Sequence, residues 1–246
     1  MVIIMNTNTL DNNQIKTNLV KAMLTHVPFD GWTWEAMEQG AIDLGFEKKK
    51  TSSLRIKIFK ELFKNGSIDF IDTFSKIIDL EVIENYNLVE PKPERVPEKI
   101  KKIIMTRLNL CHKYKEAVRS SISVTAIPVN SKISLNILYK TCNSIWRMAG
   151  DKSTDFSFYT RRISLAAVYT STLLFWLNDN SNNNIETEFF LDRRLKDISK
   201  ISSLKKPLSD LKKFTNNFNS LKNTTNIKSA FNFLKKINNI INSSIN

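Results

Sequence analysis

Fifteen consecutive residues from Ile163 to Leu177 (ISLAAVYTSTLLFWL) carry no charge and put apolar side chains almost all the way round a helix. A helix without a polar face has to be enclosed on every side, by lipid or by other helices. The run falls short of the roughly 20 apolar residues that span a bilayer, and Arg161-Arg162 and Asp179 flank it. Enclosure by neighbouring helices is therefore the expectation, and a chain of 246 residues is long enough to supply them. Glycine and proline are few, period-2 alternation is scarce and 3.6-residue periods dominate, so the expected fold class is all-α.

The surrounding helices are legible in order. After a flexible N-terminus over residues 1–13, Ile15, Leu19, Ala22 and Met23 share one face of a first helix. His26-Val-Pro-Phe-Asp-Gly31 is turn chemistry. Thr33 suits the cap of a second helix that turns Trp34, Met37, Ala41 and Leu44 inward and stops at Gly45. A basic third helix spans 51–63, and a fourth starts at Ser67 with Phe70, Ile71, Phe74, Ile77 and Ile78 inward. Residues 14–88 thus have a helix-turn-helix outline. Its third helix offers Arg55, Lys57 and Lys60 to DNA phosphates, and packing alone explains the outline equally well.

Three prolines between Pro91 and Pro97 mark 89–97 as a linker. Residues 98–201 form the larger helical domain. A helix opens at Pro97 with Ile100, Ile103, Ile104 and Cys111 on one face, and another, bearing Ala117 and Val118, halts before Pro128. The helix over 132–149 turns Leu135, Leu138, Tyr139, Cys142, Ile145, Trp146 and Ala149 inward and ends at Gly150. Ser153, Thr154 or Asp155 caps the apolar helix, and a charged helix over 185–201 follows.

The net charge is +13, and residues 200–246 contribute nine lysines against Asp210. In the tail, 202–246, Leu208, Leu211, Phe214 and Phe218, then Phe231 and Leu234, form apolar stripes beside lysines such as Lys212 and Lys235. That pattern fits a helix lying on an anionic membrane. A low-complexity tail without fixed structure, or a helix docked on its own domain, fits it too. Cys111 and Cys142 sit in apolar stripes as core residues of a reducing compartment. The opening MVIIMNTNTLDNN lacks a secretory or Arg-rich presequence pattern, so a cytoplasmic location is expected.

Catalysis has few candidates. His26 and His112 are the two histidines, and no Cys-x-x-Cys, Glu-x-x-His, P-loop or Gly-rich phosphate motif appears. Asp151 and Asp155 read as turn and cap residues rather than metal ligands. Ser153 and Thr154 have no adjacent base. No enzyme, metal or cofactor is expected.

The run WRMAGDKSTDFSFYTRR (146–162), with HVPFDGW (26–32), LFKNG (62–66), AVR and IP at the two ends of 117–128, and FLDRR (190–194), resembles the ubiquinone-biosynthesis accessory family, the ninth Coq protein and its bacterial relatives. The resemblance covers residues 15–200. It implies a TetR-like fold with a helix-turn-helix remnant and a helical domain that holds a lipid, an isoprenoid quinone intermediate or a phospholipid. It also implies docking on the inner (cytoplasmic) membrane through an amphipathic C-terminal helix and assistance to the di-iron hydroxylase of the ubiquinone pathway. TetR-like folds often dimerise through their last helices, which points to a homodimer through 189–201. Nucleic acid is not among the implied partners.

On this chain the lipid would lie among Leu138, Ile145, Trp146, Val168, Tyr169, Leu173 and Trp176. The partner surface would be Asp155, Phe158, Tyr159, Arg161 and Arg162, a set rich in the residue types of interface hot spots. Two features depart from the family pattern. Phe158 stands where a tryptophan is usual, keeping the ring without the indole donor, and the third helix is longer and more basic. The rival on the same fold is a ligand-responsive, DNA-binding transcription regulator, which predicts salt-sensitive duplex binding through Arg55, Lys57 and Lys60.

Overall fold

A computed structural model describes residues 12–46, 52–153 and 156–203, with the backbone alone described for 52–56, 156, 157, 159 and 198–203. Every regular element among them is helical. These are α1 (Asn12–Met23), α2 (Val27–Asp30), α3 (Trp34–Asp43), α4 (Ser52–Leu62), α5 (Ser67–Asn87), α6 (Val96–Cys111), α7 (Lys115–Thr125), α8 (Ser131–Met148), α9 (Phe156–Leu177) and α10 (Ile185–Ser203). Short 3-10 turns cover His112–Tyr114, Pro128–Asn130 and Asn182–Asn184.

The described residues form two compact units, one drawn from the chain up to Leu80 together with Lys113–Thr125, the other from Glu81–His112 and from Ala126 on. This division differs from the 14–88 and 98–201 expected from sequence. The reason is α7, whose Ala117 and Val118 are buried in the first unit. The Trp32 indole N–H donates to the Ala117 carbonyl at 2.9 Å, and Tyr114 meets Phe74 edge-on at 5.7 Å. An amphipathic pattern shows that α7 buries a face, not which core receives it.

In the first unit the His-Val-Pro-Phe-Asp-Gly segment makes the single turn of α2, with Pro28 in its first turn, and Gly31 leaves it at φ 69°. The Thr33 hydroxyl then accepts from the Ala36 N–H at 3.3 Å, capping α3 as its sequence predicts. Ala36, Met37 and Ala41 of α3 and Leu19, Val20 and Met23 of α1 are buried, and the two helices pack together. Gly40 allows the two helices to meet backbone to backbone, since a Cβ there would lie 2.5 Å from the Met23 nitrogen. Leu44 does not face inward as expected. It is 42% exposed, because α3 ends at Asp43 and Gly45 carries the chain away at φ 87°.

In the second unit α9 packs on α6, α8 and α10, which supplies the enclosure that its apolar sequence demands. Leu165, Val168, Thr172, Trp176 and Leu177 are buried there. The helix starts at Phe156, directly after the residues expected to cap it, so FSFYTRR forms its first turns. Lys101 of α6 bridges Glu188 and Asp192 of α10 at 2.9 and 2.8 Å. The buried Arg107 donates to the Tyr169 hydroxyl at 2.8 Å, tying α6 to α9. At the α9–α10 corner Asp179 accepts from the Ser181 and Thr187 backbone N–H groups and from the Thr187 hydroxyl. Burial pushes that carboxyl up, but the hydrogen bonds from Ser181 and Thr187 outweigh it and hold it down at about 2. Tyr139, expected inside, is 43% exposed on the outer stripe of α8.

Candidate functional site

The corner between α8 and α9 concentrates the polar and aromatic residues of 146–162. Its geometry begins with the end of α8. Gly150 adopts φ 93°, and the Asp151 N–H reaches back to the Trp146 carbonyl at 2.9 Å. This is the left-handed glycine terminator with its long return bond, and it fixes where the Asp151 carboxylate sits. The carboxylate accepts from the Ser153 hydroxyl at 2.8 and 3.0 Å and from the Ser153 N–H at 3.3 Å, closing an Asx turn.

Two arginines from α9 complete the corner. Arg161 donates to Asp151 Oδ1 at 2.6 Å and Arg162 to Oδ2 at 2.9 Å. Arg162 also donates through Nε to the Asn143 side-chain oxygen at 2.9 Å and through a terminal nitrogen to the Phe158 carbonyl at 2.9 Å. Its guanidinium lies 3.3 Å from the centre of the Phe158 ring. The Trp146 indole N–H donates to the Arg161 carbonyl at 3.0 Å. The Asp151 side chain is 1% exposed and that of Arg162 3%, against 45% for Arg161. Burial pushes the Asp151 carboxyl up, and the hydrogen bonds from Ser153, Arg162 and Arg161 outweigh that and hold it at about 2. A charge-assisted network of this kind locks two helix ends together.

The expected partner surface therefore divides. Arg161 is exposed and can meet another molecule. Arg162, expected on that surface, is instead buried between α8 and α9, where the carboxylate, the Asn143 amide and the Phe158 ring satisfy it. Phe158 is half-buried, and one ring face is occupied by that guanidinium. Asp155 and the Tyr159 side chain lie outside the described residues.

The expected lipid residues divide too. Ile145, Val168, Tyr169 and Trp176 are buried, whereas Leu138, Trp146 and Leu173 keep accessible surface. The membrane residues Leu208, Leu211, Lys212, Phe214, Phe218, Phe231, Leu234 and Lys235 lie outside the described residues. Sequence reasoning took Asp151 as a turn residue and missed both its central role and Asn143. An Asp two residues before a Ser is an Asx-turn signal, but no local pattern connects Asp151 to arginines ten and eleven residues on, or Asn143 to one nineteen residues on. Among the described residues no helix is long and apolar enough to cross a membrane.

Fold and corner together define an all-α protein with a TetR-like arrangement of helices. A TetR transcriptional regulator from Nitrosomonas europaea, solved by crystallography, superposes with a TM-score of 0.55 over 74% of this chain and 96% of its own, at 17% sequence identity. That likeness concerns the fold alone. The COQ9 family profile matches residues 131–202, the segment that holds the corner. The rat and human proteins named "Ubiquinone biosynthesis protein COQ9, mitochondrial" are 31% and 32% identical over 187 and 190 residues, covering 75% of this chain. The fission yeast Schizosaccharomyces pombe protein of the same description is 28% identical over 195 residues, 77% of this chain and 72% of its own length. The matched region spans 58% and 57% of the rat and human proteins. Over the matched residues the chain is similar to the COQ9 family.

Proposed function

We propose that this chain is a non-enzymatic accessory protein of ubiquinone biosynthesis. In this reading it holds an isoprenoid quinone intermediate or a phospholipid in its second unit and sits peripherally on the inner (cytoplasmic) membrane through its tail. It presents the lipid to a di-iron hydroxylase, working as a homodimer. The observation that carries the reading is the similarity over 187 to 195 residues to proteins named for ubiquinone biosynthesis. The buried carboxylate of the corner is committed to two arginines and a serine, which suits a scaffold better than an acid or base.

Transfer of a prenyl chain from bilayer to protein gains little, because both surroundings are apolar. The useful work is positional: lifting the ring out of the lipid and holding it towards a partner. Leu138, Trp146 and Leu173 are the expected residues with surface left for such a chain, since neighbours already cover Ile145, Val168 and Trp176. Arg161, 45% exposed, and the half-buried Phe158 are the described members of the partner surface that keep accessible surface.

Native mass spectrometry of the purified protein tests lipid binding. An isoprenoid or phospholipid adduct that is lost on denaturation is expected; the bare protein mass alone would count against the reading. The DNA-binding rival has in its favour that Lys57 and Lys60 are exposed on α4. A gel shift with duplex DNA that weakens with salt would support it instead.

A further inference from the structure

The connection between α7 and α8 leaves an unusual surface in the second unit. Ala126, Ile127, Pro128 and Val129 are four consecutive apolar residues, and all are exposed, Ile127 by 46% and Val129 by 84%. They do not form a loose loop. Pro128–Asn130 make a 3-10 turn closed by the Asn130 N–H on the Ile127 carbonyl at 2.9 Å, and the turn runs directly into α8 at Ser131. A tip already held in one shape loses little entropy when it enters another phase.

The charges beside the tip are of one sign. From Ala126 to Gly150 the chain holds Lys132, Lys140 and Arg147 and no Asp or Glu. Lys132, Tyr139 and Arg147 are exposed, and their spacings of seven and eight place them on one stripe of α8. That explains why Tyr139 faces outward although the helical pattern counted it among the core positions. A tyrosine with an apolar ring and a polar tip suits the headgroup level of a bilayer.

We propose that this tip and stripe form a second contact with an anionic lipid surface, in which Ile127 and Val129 enter the interface and Lys132 and Arg147 meet lipid phosphates. The chemistry favours lipid over a protein partner. A stripe with cations and no carboxylate complements an anionic leaflet along its whole length, and a short apolar wedge needs no matching pocket. The inference extends the peripheral-membrane reading but rests on a different segment from the tail.

The test uses the full chain with a single dye at either of two positions. Cys111 and Cys142 are buried, so an environment-sensitive fluorophore attached to Val129→Cys reports the tip, and one attached to Ser220→Cys reports the tail. Vesicles of phosphatidylcholine with phosphatidylglycerol are expected to shift the Val129→Cys emission to the blue and raise it several-fold, while pure phosphatidylcholine leaves it nearly unchanged. In unlabelled protein Val129→Asp is expected to lower the partition onto the mixed vesicles by roughly tenfold, with an unchanged melting temperature because the position is exposed. A tail dye that responds while the tip dye does not would overturn this inference and leave the tail reading intact; a protein-docking tip would give that result. A responding tip with a silent tail would support the inference and overturn the tail reading. Silence at both positions would overturn both.

Discussion

Asp151→Ala is expected to cost the second unit about 3–5 kcal/mol in a denaturant titration, because it strands the buried Arg162 guanidinium without its carboxylate. Arg161→Ala is expected to cost less than about 1 kcal/mol, since that partner is 45% exposed and water replaces what it loses. Equal losses from the two would contradict the assignment of Arg162 to the interior and Arg161 to the surface. The pH dependence has a definite sign. Asp151 is held below its ordinary 3.8, at about 2, so its contribution is fully present above pH 4 and is lost as the pH falls through about 2. That contribution is on the order of 2 kcal/mol. Asp179 behaves the same way at the α9–α10 corner. The Asp151→Ala protein should therefore lose less stability than the parent between pH 5 and pH 2, and parallel acid profiles would refute the lock.

Gly40→Ala is the second large effect, and its direction is informative. In an ordinary helix interior, alanine in place of glycine stabilises by about 0.5–1 kcal/mol. Here the new Cβ would lie 2.5 Å from the Met23 nitrogen, 2.7 Å from its Cα and 2.8 Å from the Ala22 carbonyl carbon. These are backbone atoms, which cannot rotate aside, so α1 has to move away from α3. A net loss of about 1–3 kcal/mol is expected, with Gly40→Val worse. A raised melting temperature for Gly40→Ala would show that the helices do not approach this closely.

Both effects lie at points where the sequence was only partly legible. Thr33, Gly45 and Gly150 announce helix ends because capping and left-handed termination are local, set within a few residues. The enclosure of α9 was legible for a related reason: a helix without a polar face admits few surroundings. Arg162, Asn143 and Asp151 were not legible as one network, because their meeting depends on two helices folding back on each other. The same holds for Arg107 and Tyr169, which belong to different helices. The period of α7 showed an apolar face but not the core that would receive it. Tyr139 marks the edge of such reasoning, since a residue at the margin of an apolar stripe points in or out according to what packs beside it.

The proposal that this chain serves ubiquinone biosynthesis is tested most directly by quantifying quinones in cells from which its gene has been deleted. The account predicts that ubiquinone falls, that a prenylated precursor awaiting hydroxylation accumulates, and that the full chain supplied in trans restores both levels. Ubiquinone unchanged by the deletion would contradict it.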